Sequence, residues 1–168
     1  MENNVSPVKQ NISNLEIHYN RRRHLLSSLG ITPVLLEGKK ILEFGPGSGH
    51  NSTYLASLKP KIFELVDGNI TGVNDVKSIL EPFSDIDIKI HHSFFEDFKS
   101  QADFDLVWAE GCVPHQKEPL LIAKHISSYL KPGGVVVFSL ISGISYLSEI
   151  MRRIFQYQCF KNKNYSLN

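Results

Sequence analysis

A chain of 168 residues, 42% hydrophobic and 21% charged, is long enough to bury one substantial core and reads as a single domain. A net charge of +1 leaves no electrostatic footprint for nucleic acid or a membrane surface, and two cysteines far apart, Cys112 and Cys159, make neither a disulfide framework nor a metal knuckle. The expected compartment is therefore a reducing, cytoplasmic one, and the longest apolar run, Val135 to Ile141 interrupted by Ser139, is too short to span a bilayer.

Met1 to Gln10 is polar and reads as a frayed arm. The spacing of Ile12, Leu15, Tyr19, Leu26 and Leu29 predicts a helix over Asn11 to Leu29, with Arg21, Arg22, Arg23 and His24 on a solvated face. Gly30 and Thr32-Pro33 stop it. Ile41, Leu42 and Phe44 then form the apolar run of a buried parallel strand, which leads directly into Gly45-Pro46-Gly47-Ser48-Gly49-His50. Asn51, Ser52 and Thr53 offer capping side chains to a following helix with Tyr54, Leu55 and Leu58 at helical spacing. Strand, glycine turn and helix start are the parts from which α/β folds build a site for a nucleotide-like ligand.

Lys61 to Gly68 is the second strand, and it ends in Asp67, about twenty residues beyond the glycine turn, where such folds keep a carboxylate for a ribose diol. Asn69 to Leu80 reads as a helix with Val73, Val76, Ile79 and Leu80 inward, ended by Pro82. Asp87 to His91 alternates as a third strand, and His92 to Phe98 is a loop. Phe104 to Ala109 is the fourth strand, followed by Glu110 to His115. Glu118 to Tyr129 is a helix anchored by Leu120, Leu121, Ile126 and Leu130. Lys131 to Gly134 is a turn into a fifth strand, Val135 to Leu140; Ser145 to Phe155 is a last helix, and Lys161 to Asn168 a polar tail. Alternating strands and helices imply right-handed crossovers and a parallel sheet covered on both faces. Ligands in such sheets bind beyond the C-terminal strand ends, where Glu43 to Gly49, Asp67, Ser93 to Phe95 and Glu110 to His115 all fall.

The spacing G-x-G-x-G preceded by Glu43 differs from the G-x-G-x-x-G of dinucleotide folds and resembles motif I of the class I S-adenosylmethionine-dependent methyltransferases. From Lys39 to Leu140 further pieces resemble that family in order: Asp67, the loop His92 to Phe98, Phe104-Asp105-Leu106-Val107, and Leu130-Lys131-Pro132-Gly133-Gly134. The resemblance implies a Rossmann-like doubly wound sheet of about five parallel strands, without the antiparallel hairpin that usually closes this core. The implied division is residues 1–38 as an arm and capping helix and residues 39–168 as the cofactor-binding domain. S-adenosylmethionine is the implied cofactor and methyl transfer to a small-molecule acceptor the implied activity. The alternative is a catalytically incomplete S-adenosylmethionine-binding module that acts through a partner. An exposed edge at the fifth strand would be covered by a protein partner or a second copy.

The resemblance implies cofactor contacts from Glu43, Gly45, Pro46, Gly47, Gly49, His50, Asp67, Gly68, Ser93, Phe94, Phe95 and Glu110. The glycines let backbone approach the ligand, Asp67 accepts the ribose hydroxyls, and Phe94 or Phe95 stacks on adenine; in many relatives an Asp stands where Ser93 is. Glu43 meets the ligand ammonium or orients the loop, and Glu110 serves the methionine end or the acceptor. His115 is the candidate general base, needed only if the acceptor loses a proton on attack. Tyr19 and His24 are placed to close over the pocket. Cys112-x-x-His115 with His91 and His92 lacks a second closely spaced ligand pair, so no metal site is expected.

Overall fold

A computed structural model of the chain describes residue 12, residues 14–140 and residues 147, 148, 150–152, 154 and 155. The expected N-terminal arm and polar tail lie outside the described residues, as does most of the chain beyond the fifth strand; helical backbone is seen at 147, 148, 150–152, 154 and 155. Among the described residues no helix is long and apolar enough to cross a membrane.

Five parallel strands form one sheet in the order β3-β2-β1-β4-β5: β1 (Lys40–Phe44), β2 (Ile62–Asp67), β3 (Asp87–His92), β4 (Phe104–Ala109) and β5 (Leu130–Phe138). The chain starts in the middle, winds outward to β3, then returns to place β4 on the other side of β1. The strand order therefore reverses between β1 and β4, and a crevice opens there at the C-terminal strand ends. In register, Ile41 sits beside Phe63 on one side and Leu106 on the other.

Period-two alternation splits the core into two layers. Ile41, Phe63, Leu65, Leu106 and Trp108 face the helices α1 (Leu15–Ser28), α2 (Ser52–Ser57) and α3 (Ile70–Leu80), meeting Leu26, Leu55, Val76 and Leu80. Leu42, Phe44, Val66, Val107 and Ala109 face the other way, onto α4 (Pro119–Ser127) and the aromatic loop Phe95 to Phe98.

Three elements depart from the expected ones for physical reasons. The inward stripe of α1 is His18, Arg22 and Leu26 at i, i+4 and i+8, while Leu15 and Leu29 lie half in water. The middle of the arginine run thus turns inward rather than out. In α4 the buried pair is Ile122 and Ile126, whereas the expected anchors Leu120 and Leu121 are 84% and 60% exposed. The expected turn Lys131 to Gly134 belongs to β5: Leu130 pairs with Phe104, and a register shift follows between Phe104 and Leu106. Gly133 takes φ +78°, and a Cβ on Gly134 would stand 2.9 Å from the Phe104 carbonyl, so both glycines make a bulge within the strand. Lys131 pairs with Asp105 across it. Among the described residues β5 has a strand neighbour on its β4 side alone.

Candidate functional site

The turn after β1 is built by conformations that L side chains avoid. Gly45, Gly47 and Gly49 have φ of +66°, +58° and +76°. Their tasks differ. Gly45 floors the crevice, and a Cβ there would be 2.6 Å from Cys112 Cβ. Gly49 faces away, where a Cβ would press on Ile79 and on the Val76 backbone, so its smallness seats the turn on α3. The Gly47 amide donates to Asp67 Oδ2 at 3.1 Å, and the Asn69 amide donates to Oδ1 at 2.8 Å. Asp67 therefore locks the turn to the end of β2. Asn69, not Asp67, caps α3, accepting from the Thr71 amide at 2.9 Å. A Cβ on Gly72 would meet the Gly47 carbonyl at 3.0 Å, so α3 also needs a small residue where it passes the turn.

A cavity of about 390 Å³ opens above these strand ends, lined by Gly45, Asp67, Gly68, Phe94, Phe95, Cys112, His115 and Gln116. Its size falls within the range of small-molecule pockets, roughly 300–1,000 Å³. Phe94 presents a ring 63% exposed, while Phe95 is buried and packs edge-on against Phe44. One aromatic thus offers a free face and the other is core. Burial raises the Asp67 carboxyl above the ordinary aspartate value, opposed by the Asn69 and Gly47 amides and by His92. Burial pushes the Cys112 thiol up to about 12, with Glu43 and Asp67 adding to it, and Cys112 Sγ donates to the Phe44 carbonyl at 3.3 Å. The thiol is thus protonated at neutral pH and is not poised as a nucleophile.

Other expected site residues stand elsewhere. The Ser93 hydroxyl donates to the Phe94 carbonyl at 2.9 Å, and Pro46 accepts from the Gly49 amide at 3.0 Å. His50 Nδ1 and Ser48 Oγ hydrogen bond at 2.8 Å beside a second cavity of about 200 Å³, lined also by Asp75, Ser78 and Ile79. Glu110 is held by Arg22, whose two terminal nitrogens reach its two oxygens at 3.1 and 2.6 Å, and by Trp108 Nε1 at 3.2 Å. The Arg22 guanidinium lies 5.5 Å from the Trp108 ring centre. Glu43 is 3% exposed, directly under the turn, and its Oε2 has no hydrogen-bond partner among the described residues. Burial pushes its carboxyl up to about 7; Ser52 and Arg22 pull it down, and Glu110 and Asp67 push it further up.

The helix α1 sits on this cluster through polar contacts. His18 Nε2 donates to the His50 carbonyl at 3.0 Å, Tyr19 OH to the Thr53 carbonyl at 3.1 Å, and Arg22 to Glu110. Tyr19 is thus at the turn, whereas His24 is exposed and takes no part. Cys112 and Gln116 as lining residues, and Arg22 and His18 as buried ones, were not singled out as site residues from the sequence. The signal for the last two was present: residues 18, 22 and 26 share one helix face.

Residues 17–167 match the family of methyltransferase domains. The chain belongs to that family. An arsenite methyltransferase of Aquipseudomonas alcaligenes is 24% identical over 138 residues, covering 73% of this chain and 38% of that protein. Two solved structures have the same fold. The N-methyltransferase NodS of Bradyrhizobium japonicum, with S-adenosylhomocysteine bound, is 19% identical at a TM-score of 0.60, over 73% of this chain and 60% of its own. A Geobacter sulfurreducens S-adenosylmethionine-dependent methyltransferase, also with S-adenosylhomocysteine, is 17% identical at a TM-score of 0.58, over 71% and 47%. This methyltransferase domain thus spans less than two thirds of the length of each of these relatives.

Proposed function

We propose that this domain binds S-adenosylmethionine in the crevice above β1, β2 and β4 and transfers its methyl group to a small-molecule acceptor. One observation carries the reading: the cavity joins a side-chain-free floor at Gly45, the Asp67 carboxylate and the free face of Phe94 at the point where strand order reverses. Those groups fit a nucleoside, with an aromatic plane for the base and a two-oxygen acceptor for the ribose diol. Glu43, whose buried Oε2 has no hydrogen-bond partner among the described residues, fits the ammonium of the methionine end.

When bound, S-adenosylmethionine supplies a methyl group already activated on a sulfonium. The chain's part is then to align the acceptor and exclude water. Gly45 and Gly68 keep the floor clear for the ligand, and Cys112, His115 and Gln116 border the side from which an acceptor would enter. His115, exposed on the short turn Val113–His115, is the group able to take a proton from an acceptor that must lose one. If it does, His115→Ala lowers turnover and leaves S-adenosylmethionine affinity unchanged; wild-type turnover in that variant would dismiss it as a base. The arsenite acceptor of the Aquipseudomonas relative is not adopted: the lining thiol Cys112 is half-buried and held in its protonated form. The outer edge of β5 is where a protein partner or a second copy would pair.

Calorimetric titration with S-adenosylmethionine tests the reading, and absence of heat or thermal shift would overturn it. Asp67→Ala is expected to weaken that binding by about 1.5–3 kcal/mol, the range for hydrogen bonds to a charged group. An unaltered affinity would remove Asp67 from the ribose.

A further inference from the structure

The cluster beneath the glycine turn holds more acids than cations. Glu43 is faced by Arg22 from α1, by Ser52 from α2, by Asp67 from β2, and by Glu110 and Cys112 from the segment after β4. Arg22 is the cation among these, and both its terminal nitrogens are committed to Glu110. Glu43 Oε2, Ser52 Oγ and Arg22 Nε are all buried without a hydrogen-bond partner among the described residues. A carboxylate shut away from water, next to two further carboxylates and sharing one engaged guanidinium, is stabilised by holding a proton. A cation brought into the same space reverses that balance.

We propose that Glu43 is a proton-exchange site for cofactor binding: in mildly acidic solution its carboxyl is neutral in the ligand-free protein and releases its proton to solvent when the ligand's ammonium arrives beside it. The reaction is an exchange of cations at one carboxyl. The O–H bond of Glu43 breaks, the proton passes to buffer, and the ammonium takes its place as the counter-charge. The inference rests on the cofactor reading above and adds a regulation of that site. Burial that holds the free carboxyl near 7 supports it. The sign follows from linkage: below that midpoint binding must expel a proton, so affinity rises with pH; above it the proton is already gone and affinity levels off. Between pH 5.5 and 7.0 the rise is roughly fifteenfold.

The test is titration calorimetry of the whole chain with S-adenosylmethionine at pH 6, repeated in phosphate and imidazole buffers, whose ionisation heats differ. The expected result is release of about one proton per ligand by the wild type and close to none by Glu43→Gln. Binding with no buffer-dependent heat, or the same release from Glu43→Gln, would overturn the inference while leaving the cofactor reading intact. No binding in any buffer would instead sink the cofactor reading. A carboxyl-labelled ¹³C spectrum of wild-type chain reads the same event without the variant. Without ligand the Glu43 carbon should titrate near neutrality, and S-adenosylhomocysteine at pH 6 should shift it to the ionised position. A ligand-free midpoint below pH 5 contradicts the proposal.

Discussion

Arg22→Met is expected to lower the unfolding free energy by about 3 kcal/mol, the low end for breaking a buried ion pair. Arg22 keeps 7% of its side chain in contact with water and Glu110 keeps 35%, so Glu110 regains part of its hydration when its partner goes. Methionine fills most of the arginine stem's space, so the loss reports the guanidinium rather than a void. Three roles disappear together: the two hydrogen bonds to Glu110, the stacking on Trp108, and the positive charge that offsets Glu43. Urea denaturation of the variant and of Arg22→Met/Glu110→Gln separates them. The second change should recover part of the loss, because it removes the carboxylate left unpaired. A stability within about 0.5 kcal/mol of wild type, the usual span for a surface substitution, would show that Arg22 is not buried as described.

Gly45→Ala is expected to abolish cofactor binding and to destabilise the chain by about 2–4 kcal/mol. The left-handed conformation at φ +66° accounts for about 1–2 kcal/mol of that. The remainder comes from a methyl placed 2.6 Å from Cys112 Cβ and 3.3 Å from the Phe95 ring, a contact relieved only by moving the floor of the cavity. Cys112→Gly in the same chain should return the steric part and not the backbone part. Gly49→Ala is the contrast: its methyl meets α3 rather than the cavity, so it should lower stability while its ligand affinity follows only the folded fraction. Thermal unfolding with and without S-adenosylmethionine reads both quantities. If Gly45→Ala binds normally, the ligand does not rest on that turn.

Much of the fold was legible because its signals are local. Apolar runs, or period-two alternation at β3, marked all five strands, and the glycine spacing with the acid at Asp67 marked the strand ends that border the crevice. What escaped depended on contacts far apart in sequence. Arg22 sits within a run of three arginines whose composition says solvent; only its partner 88 residues away makes it interior. Lys131 to Gly134 has every mark of a turn, and it joins β5 because Phe104 supplies a bulge partner. Leu120 and Leu121 are as apolar as the residues that are buried, and nothing in a nine-residue helix says which face meets the sheet. In the candidate site, glycine spacing pointed to a ligand, yet it could not tell Gly45, which floors the cavity, from Gly49, which seats α3.

The way α1 is fastened has a kinetic consequence. Its three deep polar ties land on His50, Thr53 and Glu110, all within a few residues of the glycine turn or of the strand end beside it. The helix therefore leaves the turn only when all three ties break together. Amide hydrogens of α1 and of the turn should therefore exchange with solvent through one shared opening, slower than the exposed loops around them.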